Sequence, residues 1–443
     1  LLAYPTGTSV FNTTDGLLYR LSAKTGQFEN LGIAFPVSAF CTKAMLNNAG
    51  SGTGFAQAAG PLTAQVQTVL ESDFIAVQIG VVHIDTAAGS MKGCVLPWAA
   101  AQADNSAAAN YNSATWTDLT QTINGVSSAT AVLTAMPATI AGQGLVSWFD
   151  PVPIASLART DSGKTLPGIS VRLEWLAGTN WAYLPGPFTS PAVWETDSAA
   201  NAGRFYRVRG QAVSAGQNAT KAALTNTATW TFCPPILIRY WPKRGLPRTI
   251  VFCGDSIDSA SGGTGSAVNL ARYGFPQMLQ AQFSTPANPI EIVDCGLGGA
   301  TVANISTMMN TVIPAIPNAV AVYPNATPNG TGGTLSATDV STWTGFKAKM
   351  RLLCEQNRVA SVIRTMLPVG TAAKAWGATD SFRQNMNADD VASGQVIFDA
   401  AGVLSGAVVS GQTQLTNTAD NVHPDDSGNA ALAVSLGKIL GIG

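Results

Sequence analysis

The feature that most constrains this chain is a change of apolar period near residue 245. Upstream, Ile169, Val171, Leu173 and Trp175 alternate with Ser170, Arg172 and Glu174. A repeat of two suits a strand with one covered and one wet face. Segments 74–85, 205–208 and 229–232 read the same way, between clusters of Gly, Asn, Ser and Pro, and no long helical repeat intervenes. Residues 1–60 give only weak signals. Then comes Trp241-Pro242-Lys243-Arg244-Gly245-Leu246-Pro247, a linker punctuated by Pro and Gly. Beyond it, short apolar runs alternate with stretches of helical spacing. Strands are expected over 249–253, 290–295, 319–323, 359–367 and 396–398, and helices near 274–284, 302–313, 339–356, 380–391 and 427–440. Such alternation predicts a doubly wound parallel sheet that binds ligands outside the carboxyl ends of its strands. The expected organisation is an all-β, jelly-roll-like sandwich within residues 1–245, its core at about 60–241, followed by an α/β unit at 246–443.

Bulk properties narrow the function. A length of 443 residues, 46% apolar, allows two or more domains with large cores. Charged residues make up 11% of the chain and the net charge is −1, against roughly 25% charged in an average soluble protein. Nothing therefore argues for nucleic acid or an anionic membrane surface as partner. A surface built from Ser, Thr, Asn, Gln and Gly fits a secreted, surface-displayed or virion-borne protein, and a start at Leu1 without Met suggests processing or trimming. Six cysteines without a C-x-x-C pair, and two histidines in all, argue against a zinc site of usual spacing. Cys253 and Cys295 fall in or beside expected buried strands, where a thiol acts as a small hydrophobe. Pairing among the other cysteines stays open. No apolar stretch approaches the ~18 residues that span a bilayer.

Two short motifs carry chemistry. The run Ile250-Val251-Phe252-Cys253 ends in Gly254-Asp255-Ser256, which puts a serine at the carboxyl edge of a buried strand. Near the C-terminus stands Asp420-Asn421-Val422-His423-Pro424. A serine nucleophile needs a base that is neutral near pH 7, which histidine supplies. An aspartate three residues earlier in a loop can curl back to the imidazole N–H and fix its tautomer. The other histidine, His83, lies in a β-patterned segment and reads as an ordinary strand residue. Asp425 and Asp426 read as charges at the start of a helix. Ser162-Gly163-Lys164-Thr165 ends like a phosphate-binding loop, but Ala158 replaces the first glycine and the flanks are β. No G-x-S-x-G elbow occurs.

A serine after the first strand, paired with a late Asp-x-x-His-Pro, resembles the SGNH (GDSL-like) hydrolase family over roughly the last 200 residues. That resemblance implies a flavodoxin-like sheet and a serine esterase, with Ser256 as nucleophile, His423 as base and Asp420 as its orienter. The block Cys295-Gly296-Leu297-Gly298-Gly299-Ala300-Thr301 resembles the family's glycine block. The match implies an oxyanion hole made from the N–H groups of Ser256 and Gly299 and an asparagine amide. The family's third block, Gly-x-Asn-Asp, is altered here to Tyr323-Pro324-Asn325-Ala326, which makes Asn325 the first candidate amide and Asn329 the second. No metal or organic cofactor is implied. The expected substrate is a short-chain ester, above all O-acetyl groups on a polysaccharide; Trp116, Trp148, Trp175 and Trp230 could stack on sugar rings, although most of them are expected in the core. Two alternatives are a virion or surface structural protein whose esterase domain trims glycans, and a carbohydrate-binding protein with a dead hydrolase fold. The acyl group, the alcohol and the oligomeric state are not written in the residues.

Overall fold

The structure is a computed structural model. It describes residues 9–12, 17–21, 28–30, 40–45, 56–98, 116–137, 143–154, 157–161, 164–185, 207–212, 232–233, 235–243, 248–259, 274–285, 287–418 and 420–442.

The C-terminal unit contains five parallel strands: β1 (Arg248–Phe252), β2 (Ile290–Asp294), β3 (Val320–Pro324), β4 (Ala360–Arg364) and β5 (Ile397–Phe398). Their spatial order is β2-β1-β3-β4-β5, a doubly wound order with its switch point beside β1. The helices are α1 (Phe275–Phe283), α2 (Val302–Val312), α3 (Ala337–Gln356), α4 (Ser381–Ala392), α5 (Ala400–Leu404) and α6 (Asp426–Ile439). Successive side chains of a strand leave on opposite faces, and β1 shows why its apolar run is unbroken. Ile250 and Phe252 enter a cluster with Phe275 and Leu279 of α1 and Leu432 and Leu436 of α6. Val251 joins Met308 and Met309 of α2 and Phe346 and Met350 of α3 on the other face. Each such fully buried side chain stabilises the fold by about 1.5–3 kcal/mol. Unexpected elements include α5 and an antiparallel hairpin of Ser405–Val409 with Gln412–Leu415. Its turn places Ser410 and Gly411 at φ 50° and 83°.

The sheet continues past β2. Strand Cys41–Met45 runs parallel to it, and Ile236–Pro242, Phe74–His83 and Leu145–Trp148 follow in antiparallel pairing. Residues on both sides of the 241–247 linker thus share one sheet. Buried polar contacts lie along the seam: Tyr240 Oη donates to Glu291 Oε1 (2.7 Å) and Ser284 Oγ donates to Glu71 Oε2 (2.5 Å). A second sheet is ordered Ala131–Leu133, Gly89–Trp98, Lys164–Trp175, Leu62–Val69, Arg207–Ala212. One apolar cluster joins the two sheets, drawing on Val77, Ile79, Ile236 and Ile238 from the first and Val66, Val95, Val171 and Leu173 from the second.

One expectation for the N-terminal region needs correction. The alternating strand 169–175 has no wet face: Ser170, Arg172 and Glu174 are as buried as Val171 and Leu173. Gln65 accepts from Arg172 Nη2 (2.7 Å) and donates to Ser170 Oγ (3.2 Å), and the Trp116 ring lies 5.1 Å from the Arg172 guanidinium. Satisfied hydrogen bonds let the polar face be buried. The described tryptophans are largely core, as expected for most of them. Trp175 is fully buried, Trp116 lies against Arg172, and the Trp148 ring is covered by the Arg239 guanidinium at 3.5 Å; Trp230 is outside the described residues. His83 is a buried strand residue whose Nε2 meets Ala87 O at 2.9 Å. Lys164 and Thr165 begin a strand paired with Asp161 and Thr160, so no helix N-terminus follows them. Cys253, Cys295 and Cys354 are free and buried, and Cys41 and Cys94 are buried as well.

Candidate active site

Every residue singled out for chemistry in the C-terminal unit lies at the carboxyl ends of the parallel strands or in the loop before α6. Ser256 follows β1 in a tight turn in which Asp258 N–H and Ser259 N–H both donate to Asp255 O (3.2 and 3.1 Å). Ile257 N–H donates to Asp255 Oδ1 at 3.1 Å. The turn is pressed against the glycine block after β2. Leu297 N–H donates to Gly254 O at 3.0 Å, and a Cβ on Gly296 would stand 2.2 Å from Ser259 N. Only glycine lets those two backbones meet.

The loop 417–425 brings in the other two groups. Asn421 adopts φ 63°, which folds Asp420 back over His423. Gly370, in the segment after β4, donates its N–H to Asn421 O (2.7 Å), and Asp425 N–H donates to Asn417 O (2.7 Å). A side chain at 370 would collide with Asn421 Cβ at 2.5 Å. Asp425 caps α6 by accepting from Gly428 N–H at 2.9 Å, and Asp426 occupies the first turn, as expected of helix-start charges.

Within this frame His423 Nε2 is 2.8 Å from Ser256 Oγ, and His423 Nδ1 is 2.6 Å from Asp420 Oδ2. An ionised carboxylate only accepts, so Nδ1 carries the ring hydrogen and Nε2 is left as the acceptor facing Ser256. Asp420 Oδ1 also accepts from the N–H groups of Val422 (2.9 Å) and His423 (2.7 Å). Partial burial pushes the Asp420 carboxyl up. The hydrogen bonds from the His423 ring and from the two backbone N–H groups outweigh this and hold it below its ordinary value. The pair is accessible: the side chains of His423 and Asp420 are 21% and 48% exposed.

The expected oxyanion donors divide. Gly299 is exposed, at φ 74°, in a conformation L side chains rarely adopt. Among the described residues, neither Gly299 N–H nor Ser256 N–H has a protein acceptor. Asn325 must be corrected. It is fully buried, and its Nδ2 is committed to Asn387 Oδ1 (2.9 Å) and Asp390 Oδ2 (2.7 Å) on α4. Its amide therefore braces β3 against α4 and is not presented to a ligand. Asn329 is partly exposed instead. Its Nδ2 donates to Ala300 O (3.1 Å) and Thr327 Oγ1 (3.1 Å), which holds the side chain beside the glycine block.

One group was not singled out from sequence. Asp255 and Asp258 flank the serine turn, and Arg364 at the end of β4 reaches both: Nη2 is 2.8 Å from Asp258 Oδ2 and 3.3 Å from Asp255 Oδ1. All three are at most 2% exposed. The available signal was an arginine directly after the buried pair Val362-Ile363 at the end of a strand, which demands a buried anion. Burial pushes the Asp258 carboxyl up to about 6, against the pull of Arg364 and with the help of Asp255. Burial opposes the charge on Arg364 as well, but the two carboxylates outweigh it and raise its pKa. No group of His, Cys, Asp and Glu able to hold a metal ion occurs among the described residues.

No protein-family model and no curated protein matches the chain. Solved structures do. A carbohydrate acetylesterase family member from Sinorhizobium meliloti is 17% identical, over 44% of this chain and 99% of its own, with a TM-score of 0.33. A variant of an acetyl-xylooligosaccharide esterase from Geobacillus is 15% identical, over 44% and 95%, with a TM-score of 0.32. A GDSL-like lipase from Bacteroides thetaiotaomicron is 18% identical, over 44% and 88%, also with a TM-score of 0.32. At such scores the functional reading rests on the residues and their geometry.

Proposed function

We propose that this chain is a serine esterase of the SGNH type that removes short acyl groups, acetyl above all, from a polysaccharide. The observation that carries the reading is the hydrogen-bonded line Ser256 Oγ, His423 Nε2, His423 Nδ1, Asp420 Oδ2 at the carboxyl end of a doubly wound sheet. Ser256 Oγ attacks the ester carbonyl while His423 takes its proton, and Asp420 stabilises the imidazolium that forms. The tetrahedral oxyanion is received by the N–H groups of Ser256 and Gly299 and by the partly exposed amide of Asn329, which turns one of its two Nδ2 hydrogens away from Thr327 Oγ1 or Ala300 O to do so. His423 then returns the proton to the departing alcohol, and water repeats the sequence on the acyl-enzyme. Each oxyanion donor contributes about 3–4 kcal/mol of barrier lowering.

The acyl preference follows from the loops around Ser256. The loop after β3 is Asn, Thr, Gly and Pro, with Ala326 and Leu335 turned into the interior. Among the described residues a long acyl chain finds little apolar surface there, and forgoes roughly 0.8 kcal/mol for each methylene left in water. The N-terminal region belongs to this proposal as a two-sheet, jelly-roll-like sandwich that presents the polymer. Low charge and a polar composition support a location outside the cell or on a virion. The test compares kcat/KM on p-nitrophenyl acetate and octanoate, and acetate release from acetylated xylan. Acetyl preference with release from the polymer is expected; octanoyl preference contradicts the carbohydrate reading.

A further inference from the structure

The turn that carries Ser256 is tied to a charged cluster that takes no part in the proton relay. Asp255 precedes the serine and Asp258 follows it by two residues, and both carboxylates meet the same Arg364 nitrogen. Arg364 comes from β4, which is separated from β1 by β3. The tether therefore spans the sheet, from the carboxyl end of β4 to the turn after β1. Asp258 also presses on the chain just before the nucleophile: a Cβ on Gly254 would lie 1.7 Å from Asp258 Oδ2. The serine turn is thus packed from beneath by one carboxylate and pulled sideways by one guanidinium.

The cluster is a costly way to hold a turn. Two carboxylates face one guanidinium in the interior, which leaves an excess acidic group with no second cation among the described residues. Asp258 Oδ1 and Arg364 Nε have no hydrogen-bond partner there either. A purely structural site is equally served by apolar side chains of similar volume. What a directed ion pair adds is orientation, because a planar guanidinium accepts neighbours only along fixed directions. Ser256 needs orientation, since a displacement of about 1 Å from the attacking geometry costs on the order of a hundredfold in rate.

We propose that Arg364 and Asp258 are positioning residues for the nucleophile: the ion pair sets the backbone of residues 255–259 so that Ser256 Oγ meets His423 Nε2. The proposal rests on the esterase reading for its kinetic arm only. Ser259 completes the turn from within, its Oγ donating to Ser256 O at 3.2 Å. Asn325 N–H donates to Arg364 O at 2.8 Å, so the backbone that carries the guanidinium is itself fixed to the end of β3.

The test uses the full chain and three variants: Asp258→Ala, Asp258→Asn and Arg364→Lys. Asp258→Ala removes the tether and leaves Arg364 with Asp255 at 3.3 Å, and a thermal melt selects conditions in which the variant is folded. Its kcat on p-nitrophenyl acetate should fall at least tenfold with KM within twofold. Asp258→Asn keeps an oxygen for Arg364 and should recover kcat to within threefold of the wild type. Arg364→Lys keeps the charge but loses the fixed directions, and should resemble Asp258→Ala. Amide hydrogen exchange gives a readout that needs no substrate. Exchange at Ile257, Asp258 and Ser259 should quicken at least tenfold in Asp258→Ala and Arg364→Lys and stay unchanged along α6. An Asp258→Ala protein with full kcat and unchanged exchange at 257–259 overturns the proposal, as does equal loss in the Ala and Asn variants. If wild-type protein shows no esterase activity, the exchange arm still decides the tether, and only the esterase reading falls.

Discussion

His423 Nε2 stands 2.8 Å from Ser256 Oγ although 167 positions separate the two residues in the chain. Neither side chain is brought there by its own segment alone. Ser256 is placed by the carboxyl end of β1 and by the glycine block that leans on its turn. His423 is placed by a loop anchored at Gly370 and closed by the cap of α6.

That arrangement gives Asp420 a specific task. Replacing it with Ala removes the group that holds the Nδ1 hydrogen, and kcat on p-nitrophenyl acetate should fall roughly a thousandfold with little change in KM. Steady-state kinetics on a variant with unchanged melting behaviour checks this. A loss smaller than tenfold means that water serves the exposed imidazole equally well.

The two asparagines should separate cleanly. Asn329→Ala should lower kcat about a hundredfold or more at nearly constant KM, as expected of a donor used only in the transition state. Asn325→Ala should instead destabilise the fold by about 1–3 kcal/mol, because it removes the donor to buried Asp390 Oδ2 and leaves Asn387 Oδ1 with Met366 N–H alone. Its kcat per folded molecule should change little. Kinetics paired with urea denaturation of both variants distinguishes the roles, and the reverse pattern would return the oxyanion assignment to Asn325.

Asp258 makes a prediction about pH and stability. Its folded pKa of about 6 lies above the ordinary aspartate value of about 3.9. The folded state therefore binds this proton more tightly than the unfolded chain. The stabilisation is complete below about pH 4 and disappears as pH rises through 6, at about 1.4 kcal/mol for each pH unit that separates the two values. Asp420 and Asp380 have lowered values, so their contributions run the other way: they are present above about pH 4 and lost in stronger acid. Asp258→Asn should accordingly gain on the wild type between pH 4 and 6, measured by denaturant unfolding at several pH values. A difference independent of pH contradicts the cluster's ionisation as described.

The shared sheet predicts the behaviour of a truncated chain. Residues 246–443 alone would uncover the edge of β2 that Cys41–Met45 pairs with, and leave Glu291 without Tyr240. An exposed parallel edge strand invites association. Light scattering should show the fragment aggregated or oligomeric where the full chain is not, and a stable monomeric fragment would show that the edge tolerates water.

Much of this was legible in the residues. The parallel strands announce themselves because both faces of each are covered, so Ile250, Val251, Phe252 and Cys253 form one apolar run. The Asp420–His423 pairing is local and follows from a three-residue spacing. What escaped depends on partners far away in sequence. Whether Asn325 or Asn329 has a usable amide is decided by Asn387 and Asp390 on α4. The buried polar face of 169–175 is decided by Gln65 and Trp116, which no alternation pattern records. The pairing of Cys41–Met45 with β2 is set by a register of two residues, Val293 with Ala44 and Asp294 with Met45, too short to leave a period. The hairpin at 405–415 did leave a signal, Ser410-Gly411 between two valines and a glutamine, which alternation of longer elements overshadows.

The proposed esterase stands on Ser256 acting as a nucleophile activated by His423. A fluorophosphonate probe applied to the full-length protein, followed by peptide mass mapping, tests it most directly. Covalent labelling is expected at Ser256, with loss of p-nitrophenyl acetate hydrolysis in step with labelling, and neither labelling nor turnover in a folded Ser256→Ala protein. Labelling at another serine, or full turnover in Ser256→Ala, would contradict it.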